Sequence, residues 1–131
     1  MANWMVIEDE IDIHDVILGM FELWGISGTS FTSGMDAIQC ISTVDHEGNT
    51  AQLPQLALID IRLPDTSGIS VASQLRSSKR LGGMSIVLMT AYHLSPQEEA
   101  AAIEQTQASA VIYKPLPEMQ HLRKLLESAL R

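Results

Sequence analysis

The stretch that decides the fold is LALIDIRLPDTSG, residues 56–68. It begins with four consecutive apolar residues, and so short an apolar run is typical of a strand covered on both faces. Asp60 ends the run, and the proline, aspartate, serine and glycine that follow indicate a turn. A carboxylate at the carboxyl end of a buried strand lies where open α/β sheets bind ligands. Taken alone, Asp60 is equally well explained as a loop or helix-capping residue.

The size and cysteine content of the chain predict one domain, residues 1–131, in a reducing, cytoplasmic setting. Cys40 is the single cysteine, so no internal disulfide can form, and its ordinary role is that of a small buried helix residue. No apolar run approaches the roughly 18 residues that span a bilayer. The N-terminus lacks the basic region of a secretory signal.

The charge balance argues against two kinds of partner. Eight basic residues against sixteen acidic ones give a net charge of −8. Binding to nucleic acid or to an anionic membrane needs basic patches, so neither is expected as a direct partner. A solvated acidic surface with no further role explains the same balance.

Strands and helices are predicted to alternate along the whole chain. The strands are predicted at residues 4–7, 26–31, 56–60, 85–90 and 110–113. Apolar residues at helical spacing predict helices at 13–24, from 34 to 41, at 69–76, from 96 onward and at 118–130, and a long polar loop is predicted at 43–55. Five such alternations predict an α/β fold, a parallel sheet with helices on both faces.

Parallel strands all end at the same edge of their sheet. The residues at the predicted strand ends are Glu8, Asp9, Asp60, Thr90 and Lys114. Each has an ordinary explanation alone, as a helix start, an N-cap or a surface cation. Their joint placement at successive strand ends indicates a site.

The residue types at this edge suit magnesium and phosphoryl chemistry. Two carboxylates at about 4 Å repel by ~1–4 kcal/mol, and one lysine cannot offset three of them. Mg²⁺, which prefers oxygen ligands, can do so. Asp60 would then attack a phosphoryl group to form an acyl phosphate, with the metal, Thr90 and Lys114 stabilising the phosphoryl oxygens.

Four motifs in this order resemble the response-regulator receiver domain of two-component signalling, as found in chemotaxis receivers. They are VIEDE at residues 6–10, LIDIRLPD at 58–65 with Gly68, LMTA at 88–91 and YKP at 113–115. The resemblance covers nearly the whole chain. It implies a flavodoxin-like, doubly wound five-stranded parallel sheet of order 2-1-3-4-5 with five helices.

The resemblance also implies roles for the site residues. Asp60 would accept a phosphoryl group from a phosphohistidine on a sensor histidine kinase or phosphotransfer protein. Glu8, Asp9, Asp60 and the backbone carbonyl of Arg62 would hold Mg²⁺. Such a protein assists its own phosphorylation and dephosphorylation and is not a turnover enzyme.

Signal transmission follows from the same resemblance. Thr90 and Lys114 would bind the phosphoryl oxygens, and movement of Thr90 would change the face formed by helix four, strand five and helix five. That face would bind a downstream protein or output domain, or a second copy of the chain. The peptide bond before Pro115 would be cis, against a base rate of ~5–6% for X–Pro bonds.

The chain departs from the family pattern at several positions. Val111 occupies the place of the usual switch aromatic, and alternation puts Tyr113 on the same sheet face. Glu8 replaces the commoner aspartate, which conserves charge. Loop 43–55 is longer than usual for the family. The extra length is explained either by contact with a partner or by a tolerated surface insertion. The large residues Arg62 and Tyr92 flank the expected phosphoryl group, which predicts slow self-dephosphorylation.

Two alternatives to a phosphorylated switch remain open. The missing switch aromatic permits a receiver fold that binds proteins without being phosphorylated. A small hydrolase with an aspartyl-phosphate intermediate is disfavoured because Arg62, two residues after Asp60, is not a second acid and the chain has no cap segment.

Overall fold

Five strands and five helices alternate in the computed structural model, which describes residues 2–47 and 53–130. The predicted α/β order is therefore confirmed. The elements are β1 Asn3–Ile7, α1 Ile11–Leu23, β2 Ser27–Phe31, α2 Gly34–Glu47, β3 Leu56–Asp60, α3 Gly68–Ser77, β4 Ser85–Thr90, α4 Pro96–Thr106, β5 Ala110–Tyr113 and α5 Met119–Ala129.

The five strands form one parallel sheet in the order β2-β1-β3-β4-β5. This is the flavodoxin-like order that the resemblance implied. Every residue of β1, β3 and β4 is buried, because helices cover both faces of these central strands. The order places the carboxyl ends of β1, β3, β4 and β5 side by side.

Alternate residues of each central strand enter two separate cores. Met5 and Ile7 pack with helices α2, α3 and α4 on one face of the sheet. Trp4 and Val6 pack with α1 and α5 on the other face. Successive side chains point to opposite faces of the sheet, and both faces are covered by helices. The central strands are therefore continuously apolar instead of alternating between apolar and polar residues.

The loop predicted at residues 43–55 begins later than expected. Helix α2 continues to Glu47, so the prediction for residues 43–47 is wrong. Val44 extends the apolar stripe of Ile38 and Ile41 onto the core, and Ser78 donates a hydrogen bond to Asp45 at 2.7 Å. These tertiary contacts outweigh the polar local sequence. Residues 48–52 lie outside the described part.

The predicted helix boundaries agree with the local chemistry. Ser95 and Glu98 form a complete capping box at α4, with Pro96 at the first position. Gly25, after α1, has a φ of 74°, a conformation that glycine adopts without strain. The Lys114–Pro115 peptide bond is cis, as the resemblance implied.

None of the helices within residues 2–47 and 53–130 has the length and apolar character that crossing a bilayer requires.

Candidate functional site

The strand ends bring three carboxylates together, as the sequence predicted. One oxygen each of Glu8, Asp9 and Asp60 lies within 4.8 Å of the others. Glu8 and Asp60 are almost fully buried, at 0% and 3% exposure, and Asp9 is half-buried. Asp60 also accepts a hydrogen bond from the backbone N–H of Arg62 at 2.9 Å, which orients one of its oxygens.

Lys114 reaches into this cluster from the end of β5. Its Nζ lies 2.6 Å from Glu8 Oε1 and donates to Asp60 Oδ2 at 2.7 Å. It also contacts Glu10 Oε1 at 3.3 Å. Only 7% of the lysine side chain is exposed, so these ion pairs are weakly screened by solvent. Glu10 is a member of the site that was not predicted from the sequence, although it belongs to the run of three acids at residues 8–10.

The cluster carries more negative charge than Lys114 can balance. Burial, followed by the neighbouring Asp60 carboxylate, raises the pKa of Glu8 to about 7. Burial alone would lower the pKa of Lys114, but the carboxylates of Asp60 and Glu8 outweigh it and hold that pKa above its ordinary value. The site is therefore short of positive charge.

The donor set fits a hard divalent cation. All the convergent atoms are carboxylate oxygens, and the site is narrow enough for one small ion. Glu8 Oε1 is buried, and its close contact is the ion pair with Lys114 Nζ at 2.6 Å. Three carboxylates that converge on a single lysine leave an excess of negative charge, which a bound divalent cation would neutralise. Whether the backbone carbonyl of Arg62 joins this set stays a prediction.

Thr90 lies next to the carboxylate cluster as the last residue of β4. It is buried, and its backbone carbonyl accepts a hydrogen bond from the N–H of Lys114 at 2.8 Å. Its hydroxyl oxygen accepts a hydrogen bond from the backbone N–H of Tyr92 at 3.1 Å. The hydroxyl is thereby linked to the β4–α4 loop, and Thr90 is not a helix N-cap.

Arg62 and Tyr92, predicted to flank the reacting group, contact each other. The guanidinium carbon of Arg62 lies 4.1 Å from the centre of the Tyr92 ring, a cation–π contact. Tyr92 is 54% exposed. The contact joins the β3–α3 loop to the β4–α4 loop beside the carboxylate cluster.

Gly68 allows the first turn of α3 to pack against the end of β3. A Cβ atom at this position would lie 1.9 Å from the backbone oxygen of Asp60. The N–H of Gly68 donates to the Ile61 carbonyl at 2.7 Å. The glycine at the end of the LALIDIRLPDTSG stretch is thus required by a close backbone approach to Asp60.

Tyr113 links strand β5 to helix α4. Its hydroxyl donates to Glu99 Oε1 at 2.8 Å, and this hydrogen bond raises the pKa of the tyrosine. His93 of the β4–α4 loop stacks on its ring, with centroids 5.3 Å apart. Val111 packs against the core on the same side of the sheet, so the predicted shared face is confirmed. The sequence alone did not indicate the roles of His93 and Glu99.

Comparison with known protein families gives one match over most of the chain. The model of the response regulator receiver domain matches residues 5–127. The probable methanogenesis regulatory protein FilR2 of Methanothrix harundinacea is 32% identical over 88 residues, which make up 66% of this chain but only 56% of FilR2. The polar-differentiation response regulator DivK of Brucella ovis is 28% identical over 112 residues, 86% of this chain and 83% of DivK.

Solved structures share the fold at lower sequence identity. Vibrio cholerae chemotaxis protein CheY4 has a TM-score of 0.83 and 18% identity, and the match covers 99% of both chains. The receiver domain of the sensor histidine kinase PA1611 from Pseudomonas aeruginosa PAO1 has a TM-score of 0.78 and 21% identity, covering 98% of this chain and 96% of that one. A magnesium ion is coordinated in the active site cleft of that structure.

Proposed function

Because this chain belongs to the response regulator receiver domain family, we propose that it is a phosphorylation switch in which Asp60 accepts a phosphoryl group. Receiver domains are signalling domains rather than turnover enzymes. One observation carries the proposal: the buried Asp60 carboxylate accepts a hydrogen bond from Lys114 within a cluster of acids at the strand ends. Such a cluster destabilises the fold, because buried charges that lack partners are unfavourable. Its presence therefore supports a functional role for these acids.

The proposed donor is a phosphohistidine on a sensor histidine kinase or phosphotransfer protein. An oxygen of Asp60 attacks the phosphorus in line, the new O–P bond forms and the P–N bond breaks. The electron pair of that bond stays on the histidine nitrogen, and because the other ring nitrogen of the phosphohistidine carries a proton, the donor leaves as neutral imidazole. Lys114 then donates to a phosphoryl oxygen, and Thr90 turns its hydroxyl from Tyr92 N–H toward the same group.

Glu8, Asp9, Asp60 and the carbonyl of Arg62 are the proposed ligands of Mg²⁺. When bound, the ion would offset the negative charge of the acids and of the transferring group. The set of oxygen donors, and the excess of carboxylate charge over the single Lys114, support this assignment. The magnesium seen in the PA1611 receiver domain is consistent with it.

Arg62 and Tyr92 are proposed to prolong the phosphorylated state. Their cation–π contact bridges two loops beside Asp60 and would obstruct the water that hydrolyses an acyl phosphate. Breaking such an exposed contact costs about 0.5–1 kcal/mol. If the contact between Arg62 and Tyr92 must open before water can attack, hydrolysis is slowed by about two- to fivefold.

The proposed output is a change in the face formed by α4, β5 and α5. Thr90 lies opposite Tyr113 in the sheet register, and Tyr113 is bonded to Glu99 of α4. Movement of the β4–α4 loop therefore reaches α4 through His93 and Tyr113, even though Val111 replaces the usual aromatic. This face would bind a downstream protein, an output domain or a second copy of the chain.

The bulk properties complete the proposal. A net charge of −8 disfavours direct contact with nucleic acid or an anionic membrane. A single cysteine, with no disulfide available, suits a cytoplasmic location.

A small phosphodonor tests the central step. Acetyl phosphate with Mg²⁺ is expected to add the mass of one phosphoryl group to the wild type and none to Asp60→Asn. A Tyr92→Ala variant whose phosphorylated form decays no faster than that of the wild type would contradict the role of Arg62 and Tyr92. No mass gain, even with a cognate kinase, would favour the second candidate function, a receiver fold that binds proteins without phosphorylation, for which Val111 is the supporting observation.

A further inference from the structure

The carboxylate of Glu10 does not cap the helix that it precedes. It occupies the N-cap position of α1, where an acidic side chain ordinarily accepts a hydrogen bond from the first turn. Here the side chain makes no capping hydrogen bond. Its Oε1 lies instead 3.3 Å from Lys114 Nζ, with 59% of the side chain exposed.

The three N–H groups of Lys114 face three carboxylates. A lysine ammonium group has three donors and no more. Glu8 at 2.6 Å and Asp60 at 2.7 Å are the short, buried contacts, whereas Glu10 at 3.3 Å is the long, exposed one. A phosphoryl oxygen on Asp60 would need one of these donors, and the contact with Glu10 costs least to release.

We propose that Glu10 occupies a donor of Lys114 in the unphosphorylated chain and is displaced when Asp60 carries the phosphoryl group. This rests on the proposed function of Asp60. The displaced carboxylate remains near a dianionic group and repels it, so Glu10 opposes phosphorylation and sets the balance between the two states. Glu10 is a positioning residue that acts through Lys114.

The test compares Glu10→Gln with the matched control Glu22→Gln. Glutamine keeps an acceptor for Lys114 and removes only the charge. Glu22 is an exposed acid at the other end of α1, so both variants change the net charge equally. The rate of phosphorylation by acetyl phosphate with Mg²⁺ is followed by intact mass at low and high ionic strength.

Glu10→Gln is expected to be phosphorylated about two- to fivefold faster than Glu22→Gln at low ionic strength. The difference is expected to shrink at high ionic strength, because salt screens an exposed charge, whereas a purely structural effect would persist. Equal rates for the two variants, slower phosphorylation of Glu10→Gln, or a difference insensitive to salt would overturn the inference alone. Absence of phosphorylation in the wild type would overturn the proposed function and this inference together.

Discussion

Single residues determine how closely the elements approach Asp60. The first residue of α3 is Gly68, which lies against the backbone of Asp60 with no space for a Cβ atom. Lys114 draws the Glu8 and Asp60 carboxylates together from a third strand end. The geometry of the site therefore depends on one missing side chain and one buried cation.

Replacing Gly68 by alanine is expected to lower the free energy of unfolding by about 1–3 kcal/mol, because α3 or the end of β3 must shift. Chemical denaturation measures this change. The matched control is Gly19→Ala in α1, where no atom of residues 2–47 and 53–130 lies within 4 Å of the new Cβ. That variant is expected to be stabilised by about 0.5–1 kcal/mol, since alanine is the better helix former. Equal stability of Gly68→Ala and the wild type would contradict the close approach.

At the scale of elements, helix α4 is connected to the site through side chains rather than through the core alone. Strand β4 contributes Thr90 and the β4–α4 loop contributes His93. Strand β5 contributes Tyr113, which donates a hydrogen bond to Glu99. Thr90 and Tyr113 are register partners in the sheet. We therefore expect a displacement of the loop to reach α4 through the Tyr113 ring and its hydrogen bond to Glu99.

The variant Tyr113→Phe tests this connection. It keeps the stacked ring and removes the hydrogen bond to Glu99, so amide hydrogen exchange in the first turns of α4 is expected to rise by about three- to tenfold. Phosphorylation of Asp60 is expected to be unchanged. Ser109→Ala, which removes the weaker hydroxyl contact with the Ala129 carbonyl at the other end of β5, is the control. If amide hydrogen exchange in α4 of Tyr113→Phe is no faster than in Ser109→Ala, the hydrogen bond from Tyr113 to Glu99 does not stabilise the helix.

At the scale of the whole molecule, the acidic site destabilises the fold. Three carboxylates that converge at the strand ends repel one another, and the unfolded chain does not hold them together. A cation that binds only the folded state stabilises it by mass action. Binding of the proposed Mg²⁺ would therefore increase the stability of the folded chain.

Mg²⁺ at ten times its dissociation constant is expected to raise the free energy of unfolding by about 1.4 kcal/mol. Thermal denaturation with Mg²⁺, and with a sodium salt at equal ionic strength, separates binding from screening. Asp9→Asn is expected to lose most of this stabilisation and Glu22→Gln to retain it. Equal stabilisation by the sodium salt would contradict the proposal that Glu8, Asp9 and Asp60 bind Mg²⁺.

Much of this architecture could be predicted from the sequence because it depends on local pattern. The bounds of β3 and β5 were predicted correctly, since short apolar runs ended by polar or turn residues indicate strands directly. The end of α2 was not, because Val44 and Asp45 are held in the helix by distant partners. His93 and Glu99 were missed for the same reason, whereas Glu10 was missed although it belongs to the run of acids at residues 8–10.

The sequence by itself determined the α/β class and the set of residues at one edge of the sheet. In a parallel sheet every strand end falls at the same edge, so position along the chain is enough to place Asp60, Thr90 and Lys114 there. Only the tertiary structure decided which side chains meet. Lys114 and Glu10 are 104 residues apart and Tyr113 and Glu99 are 14 apart. Such contacts depend on how helices pack on the sheet, which no local pattern specifies.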